Sequence, residues 1–256
     1  MIVDSISVSG NHRGIRPFII VWKYPSEHTR KTIDHDHTRC TAMTAADRFH
    51  NLPEEKKERI LSAASEEFSR KGYAGASINC IVGQLGIAKG SLFQYFGTKD
   101  GLFRFVFSRA LDRVKDNLRQ VRDRSTRKDL PSRLHDTLMA GARFIRDHPL
   151  LYRLYLQLLT DDTIPFRNDM LLALRQYSFE YIQSLLEDAR QRGELADHVD
   201  LNRAAFMLDA VMDRFLQAQA VPYMDAGLGL FGGDMTHIQS WIDDLVRLIL
   251  TGVERR

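Results

Sequence analysis

An all-α fold in two parts is what this sequence predicts: a three-helix head at 46–98 and a larger helical body at 99–256. Three observations carry that prediction. Apolar residues recur at helical spacing from Pro53 almost to the C-terminus. The interruptions fall on residues that start or stop helices. No stretch after residue 45 alternates in the manner of a strand.

The elements follow in order. Pro53 suits a first helical turn, and Glu54 and Glu55 favour the positive end of the helix dipole. Ile60, Ala63, Ala64 and Phe68 form the apolar face of helix one, and Gly72 is placed to end it. Ser77 is placed to cap helix two, whose inward face is Ile78, Ile81, Val82 and Leu85. Gly86 supplies the positive φ of a tight turn, and helix three spans about Ala88 to Tyr95 with Ile87 and Leu92 inward. Phe96 is assigned to the core. Gly97 ends helix three and Thr98 caps helix four.

Helix four keeps its period from Lys99 into the 120s. Leu134, Leu138, Phe144 and Ile145 mark helix five, and Pro149 begins helix six. Asp161, Asp162, Thr163 and Pro165 are read as the start of helix seven, which runs to Gly193. Asp200 caps helix eight, which Pro222 stops. A loop with Gly227, Gly229, Gly232 and Gly233 leads to helix nine, about 236–253.

Residues 1–45 differ in kind. They lack helical periodicity, carry His12, His28, His35 and His37, and are expected to form a poorly ordered extension. Met43 opens a stretch that reads as a natural domain start, so residues 1–42 are open to being an over-long start assignment. A metal arm built on His35, Asp36, His37 and Cys40 is the sharper alternative, although no scaffold in the pattern holds its geometry.

The bulk properties are those of an ordinary globular protein: 256 residues, 44% hydrophobic, 27% charged, net charge +3. That charge tolerates a polyanionic partner without demanding one. Two cysteines, Cys40 and Cys80, have no zinc-type spacing and form no disulfide framework, which points to a reducing, cytoplasmic setting. Cys80 is expected to be a small buried residue rather than a redox switch. No apolar run approaches the roughly 18 residues of a membrane span. No nucleophile motif, phosphate loop or HExxH is present, and the Asp161-Asp162 and Asp243-Asp244 pairs are read as helix caps or solvated faces, so no enzyme is expected. No cofactor or metal is expected either.

The stretch Ser77 to Lys99 is the informative one. Helix, tight turn, helix and a second cap make a helix-turn-helix, with helix three as the recognition helix. Between Ile78 and Lys99 the only charged side chains are Lys89 and Lys99, so no carboxylate would face phosphate. Lys89, Gly90 and Ser91 lie at the front of the helix, and Gly90 lets the main chain come close to DNA. Phe93 offers an apolar contact to sugar or a thymine methyl, and Gln94 can hydrogen-bond a base edge.

These residues carry a family resemblance. The pattern Ser77, Ile81, Gly86-Ile87, Lys89-Gly90-Ser91-Leu92-Phe93, Tyr95-Phe96, Lys99-Asp100 and Leu102 resembles the head of a TetR-family transcriptional regulator, and EEFSRKGYAGAS before it matches the end of that family's first helix. The specific match covers about residues 54–107. Val82 and Leu85 replace the family's usual alanines, Ala88 replaces a capping serine or threonine, and Phe93 replaces the commoner tyrosine.

The resemblance implies a homodimer on a near-palindromic double-stranded DNA site, most simply a repressor released by a small molecule. It implies that Tyr95 and Lys99 hold phosphate, with Ser77 as a further clamp. It implies a dimer bundle from helices eight and nine, drawing on Leu208, Met212, Phe215, Trp241, Leu245 and Leu248. It also implies a ligand pocket in the body, for which Phe144, Tyr152, Tyr155, Tyr177, Tyr181, Phe206 and Met207 are the candidates. Their apolar and phenolic character suits a hydrophobic or amphipathic ligand. The competing readings are a DNA-binding or architectural protein without an effector, and a redox- or metal-responsive variant.

Overall fold

The computed structural model describes residues 52–250. The N-terminal extension, with Cys40 and the proposed metal arm, lies outside the described residues, as do residues 46–51 of the expected head and the last turn expected for helix nine.

Nine α-helices and one 3-10 turn make up the described chain: α1 (Glu54–Gly75), α2 (Ile78–Leu85), α3 (Lys89–Phe96), α4 (Lys99–Ser125), α5 (Leu130–Asp147), α6 (Pro149–Thr160), α7 (Arg167–Gln191), α8 (Leu201–Ala220), the 3-10 turn Pro222–Met224, and α9 (Met235–Leu250). The apolar periodicity located all nine, because each helix buries one stripe.

The helix ends divide into those capped locally and those capped from a distance. Thr98 Oγ1 accepts from Gly101 N at 3.1 Å, and Asp200 Oδ1 accepts from Asn202 N and Arg203 N at 3.0 Å. Ser77 does not cap as expected. Its hydroxyl makes no cap bond; instead its own N–H donates to Glu67 Oε1 of α1 at 2.9 Å. The other end of α2 is held by Arg59 of α1, which donates to Leu85 O at 3.3 Å. A two-turn helix is marginal alone, and here both ends are tied to the helix beneath it.

Three other expectations are corrected. Gly72 (φ 70°) bends α1 rather than ending it, and a further turn runs to Gly75. The Asp161–Pro165 segment is a turn, in which Asp161 Oδ1 accepts from Thr163 N at 3.0 Å. Arg167 opens α7 and donates back to Leu158 O and Leu159 O at 2.5 and 2.7 Å, sealing the end of α6. Cys80 is exposed, not buried, because it sits on the face of α2 opposite Ile81 and Val82.

Two apolar cores organise the molecule. The first joins the head to the body: Phe68, Ile81, Leu92 and Phe96 pack with Leu102, Phe103 and Val106 of α4 and with Leu151, Leu154 and Leu158 of α6. The second belongs to the body alone and gathers α5, the C-terminal half of α7, α8 and α9 around Leu138, Leu185, Leu208 and Ile242. The head is therefore not an independent unit, since its core continues without a break into α4 and α6.

Candidate nucleic-acid interface and internal cavity

α3 is about 12 Å long at 1.5 Å per residue. Leu92 and Phe96 are its buried pair, four residues apart on one face. The opposite face presents Gly90, Phe93 and Gln94 at i, i+3 and i+4, all exposed, with Lys89 beside them. Phe93 is 38% exposed, and the Lys89 ammonium stands 5.9 Å from its ring centroid. A Cβ added at Gly90 would meet nothing within 4 Å, so the backbone there is open to approach. Ser91 is half-buried. Gly86 (φ 65°) makes the turn between α2 and α3 as expected.

Tyr95 is half-buried against the head core, with the Lys56 ammonium 5.8 Å from its ring centroid. Lys99 is more committed than the pattern indicated. Its ammonium donates to Ala74 O at 2.9 Å and stands 5.2 Å from the Tyr73 ring centroid, so it holds the C-terminal end of α1. Beside it the Tyr73 hydroxyl donates to Asp100 Oδ1. Burial, reinforced by that carboxylate, pushes the Tyr73 phenol up to about 12. Lys56 and Tyr73 were not singled out from the sequence. Only the fold brings α1 against α3 and α4.

The second feature is a cavity of about 190 Å³ between the two cores. α4 lines one side with Phe107, Leu111, Val114 and Leu118, and α5 to α8 complete it. Of the sequence candidates, Phe144, Tyr152, Tyr155 and Tyr181 line it. Tyr177 does not: its hydroxyl donates to Lys115 O at 3.4 Å, with the Lys115 ammonium 5.1 Å from its ring centroid. Phe206 and Met207 do not either. They are 67% and 63% exposed, because α8 turns them outward and Leu208 inward.

The cavity also has a polar wall that sequence reasoning missed. Arg175 of α7 donates to Tyr155 Oη at 2.6 Å and Asp213 Oδ2 at 2.5 Å, and lies 3.5 Å from Asp209 Oδ2. Tyr155 donates to Asp213 Oδ1 at 2.8 Å, and Ser178 donates to Asp209 Oδ1 at 2.5 Å. Burial, and then the Asp213 charge, raises the Tyr155 phenol, so it stays a neutral donor. One signal was available: Asp209 and Asp213 interrupt the inward stripe Leu208, Met212 and Leu216 at i, i+4 spacing.

The residues expected at a dimer interface separate as well. Leu208, Met212 and Phe215 are buried within the subunit, and Met212 lines the cavity. Trp241 and Leu245 are half-buried against the second core. Leu248 is 72% exposed.

Comparison with known proteins settles the family. Residues 60–106, from mid-α1 through the first turns of α4, match the model of bacterial regulatory proteins of the tetR family. The chain belongs to the TetR family. This TetR-family protein is 25% identical over 202 residues to the transcriptional regulator RutR of Escherichia coli K12, covering 78% of this chain and 92% of that one. It is 24% identical over 162 residues to the fatty acid metabolism regulator protein of Bacillus subtilis 168, covering 62% and 80%. A TetR-family regulator from Chloroflexus aurantiacus has the same fold, with a TM-score of 0.60, 27% identity, and coverage of 82% and 98%. The relatives are transcriptional regulators rather than enzymes, and this TetR-family protein is a DNA-binding regulator. Among the described residues no helix is long and apolar enough to cross a membrane.

Proposed function

We propose that this protein is a homodimeric repressor that leaves a near-palindromic operator when a small hydrophobic or amphipathic molecule fills the body cavity. The observation that carries this reading is the course of α4. Its first turn is capped by Thr98 directly after the recognition helix, and its middle turns line the cavity through Phe107, Leu111 and Val114. α6 makes a second link, since Leu151 lines the cavity while Leu154 and Leu158 pack in the core shared with the head. A ligand wedged between the two cores acts on the seam from which the head hangs. Release follows if it binds the DNA-free arrangement more tightly.

At the DNA, Lys89, Gly90, Ser91, Phe93 and Gln94 approach base edges in the major groove, while Ser77, Tyr95 and Lys99 position the backbone. Lys99 has two ammonium donors beyond the one given to Ala74 O. For the dimer, the outward face of α8 with Phe206, Met207 and Val211, together with Leu248 of α9, replaces the inward stripe as the contact surface. Exposed apolar residues of this kind fit an isologous contact between two copies. The name of the Bacillus subtilis relative agrees with a lipid-like ligand. A cavity of this kind argues against an architectural protein without an effector.

In vitro selection of bound DNA with the full chain, followed by anisotropy titration of the selected site, tests the reading. A two-fold symmetric site bound by a dimer and released by an apolar or amphipathic compound is expected. Binding as a monomer to asymmetric DNA, or release only by small, highly polar metabolites, would overturn it.

A further inference from the structure

The charges of the body are divided unequally about Tyr152. On its inner side, the charged groups of the 190 Å³ cavity are Arg175, Asp209 and Asp213. Arg175 is already engaged by both carboxylates, which leaves this wall with an excess of negative charge. On its outer side lies a second cavity of about 320 Å³, between the α5–α6 corner, the end of α8 and the glycine-rich loop at Phe231 to Gly233. Its charged side chains are Arg146 and Arg153. Arg146 stands 3.8 Å from Asp147 at an exposed position, and Arg153 has no acidic partner among the described residues.

The two cavities meet at Ile145 and Tyr152, which line both. The Tyr152 hydroxyl is buried there without a hydrogen-bond partner among the described residues. A buried hydroxyl left unsatisfied is costly, so a polar group arriving at this junction gains a ready donor. α6 begins at Pro149 in the wall of the outer cavity, with no acidic residue in its first turn, so the positive end of its dipole faces the same space.

We propose that the ligand is an anionic amphiphile spanning both cavities. Its apolar chain lies along α4, its charged headgroup lies against Arg146 and Arg153, and the Tyr152 hydroxyl donates to the polar linkage between them. This rests on the ligand-release reading above and specifies its chemistry. The reverse orientation is disfavoured, because it would bury an anion beside Asp209 and Asp213. A carboxylate and a phosphate-bearing thioester share the anionic oxygen that the two arginines recognise.

Calorimetric titration of the full-length protein with decanoyl-coenzyme A, decanoate and decanol tests the proposal. The anionic compounds are expected to bind tighter than the alcohol, and Arg146→Glu with Arg153→Glu is expected to weaken them about tenfold or more. Retained binding of the alcohol shows that the variant is folded. A larger loss for decanoyl-coenzyme A assigns the headgroup as phosphate-bearing, whereas an equal loss for both anions assigns a carboxylate. Equal losses for all three compounds, or none for the anions, would overturn the proposal. Release of DNA by uncharged or cationic compounds alone would overturn it while leaving the ligand-release reading intact. Release by no compound of any class would defeat both.

Discussion

The recognition face and the cavity sit about one core apart and are built in opposite ways. The proposed recognition face uses one short helix on which Lys89, Phe93 and Gln94 are exposed within a few residues of one another. The cavity takes its wall from five helices, α4 to α8, and Arg175, Tyr155 and Asp213 from three of them are paired across it. A DNA-reading surface must be free to meet its partner, whereas an effector site must exclude water and hold unlike groups at fixed separations. The two are nevertheless mechanically joined, because α4 and α6 contribute to both the head core and the cavity wall.

The strongest test of that join is Leu154→Ala. Leu154 is fully buried in the shared core, and its truncation is expected to cost about 2–5 kcal/mol. A common core predicts that thermal unfolding of head and body stays a single transition at a lower temperature; two separated transitions would break the comparison. Gly101→Ala comes next. A Cβ there would lie 2.0 Å from Phe96 O, where the first turn of α4 crosses the end of the recognition helix. Because backbone must move, operator affinity is expected to fall along with stability, and unchanged DNA binding in fluorescence anisotropy would refute a rigid α3–α4 junction.

Val114→Trp separates the regions from the cavity side. Filling the space beside α4 is expected to abolish ligand release while leaving ligand-free operator affinity within a few-fold, as read by gel shift. On the DNA side, Gln94→Ala should cost about 1–3 kcal/mol of discrimination at one base position. Lys99→Ala should weaken binding to all sequences and lower the salt slope by about one. If Lys99→Ala changed base preference and left the salt slope intact, its backbone role would be wrong.

The smallest effect expected is one of pH. The Tyr73 phenol is raised in the folded state from the ordinary 10.0 to about 12. A raised pKa stabilises the fold below the unfolded value and is lost as pH rises through the folded one. The α1–α4 contact should therefore be insensitive up to about pH 10 and weaken between there and pH 12. Tyr73→Phe should remove that component from alkaline denaturation curves.

Legibility in the sequence followed locality. Thr98 and Gly86 act on neighbours within a few positions, and the inward Leu92 follows the period of its own helix, so spacing revealed them. Ser77 stands at the start of α2 as read, but its hydroxyl makes no cap bond, and its N–H is tied instead to Glu67 of α1, a partner ten residues away that spacing does not reveal. Phe206 and Met207 were misplaced because aromatic and methionine content says nothing about which way α8 faces once Leu208 and Met212 turn inward. Tyr177 lies on the right helix but is rotated toward Lys115, off the cavity. Arg175 was invisible because its role depends on Asp209 and Asp213 from another helix.

By itself, the sequence determined the helical class, the nine described elements and the family. The first two follow from short-range periodicity, capping and turn chemistry that operate within about a dozen residues; the family rests on the resemblance carried by the Ser77 to Leu102 pattern. Only the tertiary structure decided that the head shares its core with α4 and α6, that Lys99 grips α1, and that a negatively biased apolar cavity adjoins an arginine-lined one across Tyr152. Those outcomes are set by which helix faces oppose one another, and packing between distant segments is not written in the period of any one of them.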